Sequence, residues 1–245
     1  MKKIFLFIVL LSLTVLSSAR TYVLVTGVSN YGDSNNLAQT TKDAKAFQKV
    51  MLTQTKDVTL LTSSYANKDN ILEKLRRICN QATKEDRIIF FYSGHGTPGG
   101  LYVHGGNVLW YNELVSLLGS SRAKEKICFI DACHAGSITG KTVEDARSKD
   151  ESWIKVVKDS DDKIFYVACR SDEYSFENAW VGAGFFTQGL IKGLRGKSDT
   201  DHNKEVTVIE LFKYIHQDVT RRSGYGQHPQ LIASEDKYNV VVAKW

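Results

Sequence analysis

Arg87-Ile88-Ile89-Phe90-Phe91-Tyr92-Ser93-Gly94-His95-Gly96 is the stretch on which the fold turns. Its apolar residues run on without the alternation of a half-exposed strand. That pattern belongs to a strand buried on both faces, as in a parallel sheet covered by helices. A second run of the same kind is Ile127-Cys128-Phe129-Ile130-Asp131-Ala132-Cys133-His134-Ala135-Gly136. One run ends in an imidazole between two glycines and the other in a thiol. In an open α/β sheet, ligands bind in the crevice outside the carboxyl ends of the strands, so both reactive groups belong to that edge.

Outward from these runs, strand-like and helix-like segments alternate. Tyr22 to Val28, Val58 to Thr62 and Ile164 to Ala168 read as further strands, as does a final one at Tyr238 to Ala243. Helical spacing appears over Asp43 to Leu52, over Asn70 to Ala82 with Ile71, Leu72, Leu75 and Ile78 on one face, and around Glu113 to Leu118. Two more helices are predicted over Gly184 to Leu194 and Val208 to Thr220, and a Gly-rich hairpin-like stretch over Thr97 to Tyr111. The alternation predicts an α/β protein with a largely parallel sheet. Between Ser137 and the strand at Ile164 the pattern breaks into a long charged loop at about 138–162, relieved by the apolar cluster Trp153, Ile154, Val156 and Val157. A loop of that length in a compact domain is commonly functional.

The chain of 245 residues is 42% hydrophobic and 24% charged, as expected of one globular domain. Its first 19 residues have another character. Lys2-Lys3 precedes the apolar run Ile4 to Leu16 and then Ser17-Ser18-Ala19, the layout of a secretory signal peptide. The domain proper is expected at 20–245, and the mature protein is expected to be secreted or periplasmic without stable membrane association. Loss of Lys2 and Lys3 lowers the formal charge from +5 to +3. With Lys and Arg scattered, nucleic acid is not an expected partner.

Cys79, Cys128, Cys133 and Cys169 are too few for a disulfide scaffold in a chain this long. Cys128 and Cys169 fall in apolar runs, where a thiol serves as a small hydrophobe. Cys133 and His95 together suit nucleophilic catalysis, because a thiol with an ordinary pKa of about 8.5 gains from a neighbouring imidazole. Neither C-x-x-C nor H-x-x-x-H spacing occurs, so zinc is not expected. Gly94 to Gly100 lacks the Gly-Lys-Ser/Thr ending of a phosphate-binding loop.

Ser93-Gly94-His95-Gly96 and Asp131-Ala132-Cys133-His134-Ala135-Gly136 resemble the two signature blocks of caspases and metacaspases. The spacing from His95 to Cys133 is 38 residues, shorter than the roughly 50 of caspases. The resemblance implies a three-layer α/β/α sandwich around a mostly parallel six-stranded sheet. It makes Cys133 the nucleophile and His95 the proton-transfer residue, with an oxyanion hole of backbone N–H groups at Gly96 and Cys133. It also points to the chemistry of substrate choice. Caspases bind an aspartate side chain through a Gln two residues before the nucleophile and two Arg residues. Asp131, Leu37 and Glu177 occupy those positions here. Metacaspases, which cut after Arg or Lys, carry Asp where this sequence has Asp43 and Asp131. Substrates are therefore expected to be peptides or proteins with a basic P1 residue, bound by Asp43 and Asp131, with Ser171, Asp172 and Glu177 as further substrate-binding residues.

Many metacaspases bind calcium through aspartates between and just after the signature blocks, but residues 97 to 130 contain no Asp. No metal or other cofactor is expected, and activity is expected to be calcium-independent. The charged segment after Ser137 matches the intersubunit linker of caspases. Lys141, Arg147, Lys149, Lys155 and Lys158 are candidate self-processing sites there. Two other readings remain: a noncatalytic caspase-like binding module, and a thiol esterase on a similar sheet.

Overall fold

The computed structural model describes residues 19–32, 36–97, 99–132, 152–169 and 184–244. Its centre is a six-stranded sheet. Strands β1 (Thr21–Gly27), β2 (Val58–Thr62), β3 (Arg87–Ser93), β7 (Glu125–Asp131) and β8 (Lys163–Val167) run parallel, and β10 (Gln230–Ile232) is antiparallel at one edge. The spatial order is β10-β8-β7-β3-β1-β2. The middle strands are buried on both faces, which is why they read as unbroken apolar runs.

Each face of the sheet has its own helical layer, giving the α/β/α sandwich. Leu24, Phe90, Cys128, Ile130 and Phe165 point to one side. There they meet α2 (Lys68–Gln81) through Ile71, Leu75 and Ile78, and α3 (Tyr111–Gly119) through Leu114 and Leu118. A helix at 152–158, here α4, completes that layer with Trp153 and Val157, which are four residues apart and buried. Val23, Val25, Ile89, Phe91, Ile127, Phe129 and Tyr166 point to the other side. They pack on α1 (Thr40–Met51), α5 (Phe185–Lys192) and α6 (Val208–Arg222) through Phe47, Phe186, Leu190, Leu211 and Ile215.

Two features depart from the sequence reading. The end of the charged 138–162 segment is the helix α4, because Trp153 stacks on Tyr111 at 4.4 Å and meets Phe165 at 5.4 Å. The sixth strand of the main sheet is β10, a three-residue edge strand too short to show periodicity. The C-terminal strand β11 (Val241–Lys244) instead pairs with β9 (Glu205–Thr207) in a separate ribbon. The Gly-rich stretch is hairpin-like as read, an antiparallel three-stranded sheet of β4 (Gly96–Thr97), β5 (Gly100–Val103) and β6 (Asn107–Trp110). The predicted signal peptide falls almost wholly on residues outside those described. No described helix is long and apolar enough to cross a membrane.

Candidate active site

The register of the sheet sets the frame of the site. Thr62, Gly27, Ser93 and Asp131 stand side by side at the ends of β2, β1, β3 and β7. Past this row the Gly94 N–H donates to the Asp131 carbonyl at 3.1 Å, so the two chains carrying the signature blocks leave the sheet tied together. One then reaches His95. The other is described as far as Ala132, whose carbonyl accepts from the Cys169 thiol at 3.7 Å; Cys133, the next residue, lies outside the described residues.

His95 is held by its backbone. Its N–H donates to the Tyr31 hydroxyl at 2.7 Å, and its carbonyl accepts from the Tyr102 N–H at 3.0 Å. The Tyr92 hydroxyl lies 2.8 Å from the same carbonyl and 2.5 Å from that of Tyr102. Burial pushes the Tyr92 hydroxyl well above its ordinary pKa, and the neighbouring Tyr31 adds to the rise, so Tyr92 remains a donor. The Tyr31 ring lies 4.9 Å from the imidazole and stacks on Tyr102 at 5.1 Å. A Cβ on Gly94 would stand 2.4 Å from the Tyr92 hydroxyl and 2.8 Å from that of Tyr31. The glycine before His95 therefore admits both hydroxyls of the clamp. Gly96 is buried and starts β4, opposite Leu101.

The two aspartates lie on the α1/α5 side of the same edge. Asp131 continues the Ile127, Phe129 alternation toward that side. It is 4% exposed, and its Oδ2 accepts from the Thr187 hydroxyl at 2.6 Å and the Thr187 N–H at 3.2 Å, in the first turn of α5. The positive end of that helix favours a negative charge there. Asp43 is 3% exposed, on the buried face of α1 with Thr40, Ala44 and Phe47. At the end of β1, Gly27 lets α1 approach closely, since a Cβ there would stand 2.6 Å from both the Ala44 Cβ and the Thr40 carbonyl. Asp43 Oδ1 accepts from Gln39 Nε2 at 2.9 Å, whereas the buried Oδ2 has no hydrogen-bond partner among the described residues. Burial raises the Asp43 carboxyl to about 6 against the lowering effects of Gln39 and Lys42.

A caspase-domain family model matches residues 20–239. The chain belongs to the caspase-domain family. Its class is therefore that of a caspase-like cysteine peptidase acting on protein substrates. Among solved structures it resembles a protein of Geobacter sulfurreducens with a TM-score of 0.65 and 18% identity, covering 90% of this chain and 97% of that one. At that identity the likeness concerns the fold. The comparison with curated proteins finds no match.

Within this caspase domain the structure brings His95, Gly96, Asp131 and Asp43 to one edge. Cys133, Ser171, Asp172 and Glu177 lie outside the described residues. Leu37 is partly buried against the core on the α2/α3 face of the sheet and carries no charge. Cys79, Cys128 and Cys169 are buried free thiols. Burial pushes Cys79 up to about 11 and Cys128 well above its usual value, so both are inert fillers rather than nucleophiles. Sequence reasoning missed the residues that position the site. Tyr31, Tyr92, Gln39 and Thr187 carry no motif, and only the fold shows that their polar atoms converge.

Proposed function

We propose that this caspase domain is an endopeptidase that cuts after Arg or Lys using Cys133 and His95. In the proposed reaction His95 takes the proton of the Cys133 thiol, and the thiolate attacks the scissile carbonyl carbon. The resulting oxyanion is received by the backbone N–H groups of Gly96 and Cys133; losing one such donor typically costs about 3–4 kcal/mol of transition-state stabilisation. As the C–N bond breaks, His95 gives a proton to the leaving amine. His95 then takes a proton from water, which attacks the thioester and frees Cys133.

The observation that carries the basic specificity is the Asp43 carboxylate, buried with one oxygen unpartnered, on the same side of the edge as the buried Asp131. A guanidinium or ammonium group supplies the donors and the charge that such oxygens lack. Peptide hydrolysis itself is calcium-independent, because thiol, imidazole and backbone donors suffice for acyl transfer. The protein acts after export, with cleavage following Ala19, and processes itself in the segment after Ser137.

The test is hydrolysis of capped Arg, Lys and Asp fluorogenic peptides by the mature protein, with and without a chelator. Arg and Lys peptides should be cut, Asp peptides spared, and Cys133→Ala or His95→Ala should abolish turnover. Failure to cut any of them would replace the peptidase by a noncatalytic binding module. Preference for the matching thioesters would point instead to a thiol esterase.

A further inference from the structure

Away from the reactive edge, α5 leads through Gly193–Lys197, which kinks at Arg195 and Gly196, into Asp199-Thr200-Asp201-His202-Asn203-Lys204-Glu205-Val206-Thr207-Val208-Ile209-Glu210. Counted from Asp199, the carboxylate or amide side chains of Asp199, Asp201, Asn203 and Glu210 fall at positions 1, 3, 5 and 12, and α6 begins at position 10. That is the ligand spacing of the helix-loop-helix calcium loop. The usual glycine at position 6 is replaced by Lys204. Its φ of 69° supplies the left-handed turn that the glycine normally provides. At position 8, Val206 is fully buried and belongs to the β9/β11 ribbon. At position 7, the Glu205 side chain turns away to Lys244 at 2.5 Å; this position contributes its carbonyl in such loops.

The side-chain oxygens of Asp199, Asp201 and Glu210 lie within 4.8 Å of one another. Two oxygens bound to one calcium at about 2.3–2.6 Å cannot be much further apart than this. The charge of the loop points independently to a cation. Asp199 is 8% exposed, yet among the described residues neither it, Asp201 nor Glu210 forms an ion pair with any Lys, Arg or His. Asp199 receives only the backbone N–H groups of Asn203 and Lys204, at 3.2 and 3.1 Å. Buried carboxylates are ordinarily paired with a cation or bound to a metal. The Glu210 carboxylate is fixed in place by Thr200, which donates to Oε1, and by Thr207, which donates to Oε2.

We propose that the loop from Asp199 to Glu210 binds one calcium ion through Asp199, Asp201, Asn203, the Glu205 carbonyl and Glu210. An all-oxygen, flexible ligand set favours calcium over zinc or the more demanding magnesium. The ion takes no part in peptide hydrolysis. It sits at the far end of α5 from Thr187 and ties that helix to α6.

The test is calorimetric titration and thermal melting of chelator-treated mature Cys133→Ala protein with calcium chloride, so that the readout is independent of catalysis and self-cleavage is removed. One site is expected with a Kd between about 10⁻⁶ and 10⁻³ M. The melting temperature should rise by at least about 3 °C at saturation. Asp201→Asn and Glu210→Gln should each weaken binding at least tenfold. Glu210 also caps α6, so should its variant unfold, Asp201→Asn is decisive: Asp201 is exposed and bonds only to Asn203. Absence of both heat and a melting shift at about 5 mM calcium would overturn the proposal. So would unaltered binding by Asp201→Asn, or an equal response to magnesium.

Discussion

Burial raises Asp43 to about 6 in the folded chain from an ordinary 3.8, and two consequences separate at this residue. The folded state holds the proton more tightly than the unfolded one. The associated stability is full below about pH 4 and is lost as the pH rises through 6. Asp43→Asn removes that loss, so at pH 7 to 8 chemical denaturation should show the variant unchanged or stabilised by about 1–2 kcal/mol. The same substitution should cost the proposed recognition of Arg. In the wild type, the ratio of kcat/KM for an Arg peptide to that for the isosteric citrulline peptide should rise with pH through about 6 as Asp43 ionises. Titration of Cys133 and His95 cancels in this ratio. A ratio that stays flat from pH 5 to 8 would remove Asp43 from the specificity pocket. Gly94 makes a different demand, because an added methyl group would displace the hydroxyls of Tyr92 and Tyr31 that fix His95. Gly94→Ala should lower kcat at least tenfold while shifting KM little, and an unaffected kcat would show that the tyrosine clamp does not position the imidazole.

Among the elements, α4 shows most directly how packing decides structure that the letters leave open. Its buried Trp153 and Val157 are surrounded by charged neighbours, and Val156 between them is 50% exposed. The helix is thus secured by the two ring contacts of Trp153 with Tyr111 and Phe165 and by the burial of Val157, with little propensity of its own. Trp153→Ala should cost about 3 kcal/mol and free the helix before the domain unfolds, visible as early hydrogen exchange over 152–158. The same dependence on tertiary contact explains which parts of the fold were legible. Strands β1, β3 and β7 announced themselves because burial on both faces demands uninterrupted apolar residues, and α2 because one face alternates with solvent. Strand β10 could not do so with three residues whose partners lie in β8. At the site, His95 and Asp131 were legible from glycines and strand ends. Thr187 was not, since its role depends on α5 starting against β7 from 56 residues away. The calcium-like spacing was also in the letters, but its missing glycine masks it until Lys204 is seen in the left-handed conformation.

For the whole molecule, the sheet decides what a cut after β7 can do. Strands β7 and β8 are parallel neighbours with five registered pairs, Lys126↔Lys163 to Ile130↔Val167, and their side chains enter both cores. A break in the segment between them leaves every one of these contacts intact, as well as the packing of α4 on Tyr111. Self-processing should therefore give two fragments on a denaturing gel that elute together, at the mass of the uncut domain, from a sizing column. The structure also discriminates among the basic residues of that segment. Lys155 and Lys158 are exposed, but they lie in α4, which would have to unwind and draw Trp153 and Val157 out of the core to enter a cleft in extended form. Cleavage is expected after Lys141, Arg147 or Lys149 and not after Lys155 or Lys158, as read by mass spectrometry of the fragments. In the Trp153→Ala protein the two protected lysines should become substrates. Cutting after Lys155 in the unaltered chain would show that α4 does not shield them, and separation of the fragments would show that the shared sheet does not hold the nicked domain together.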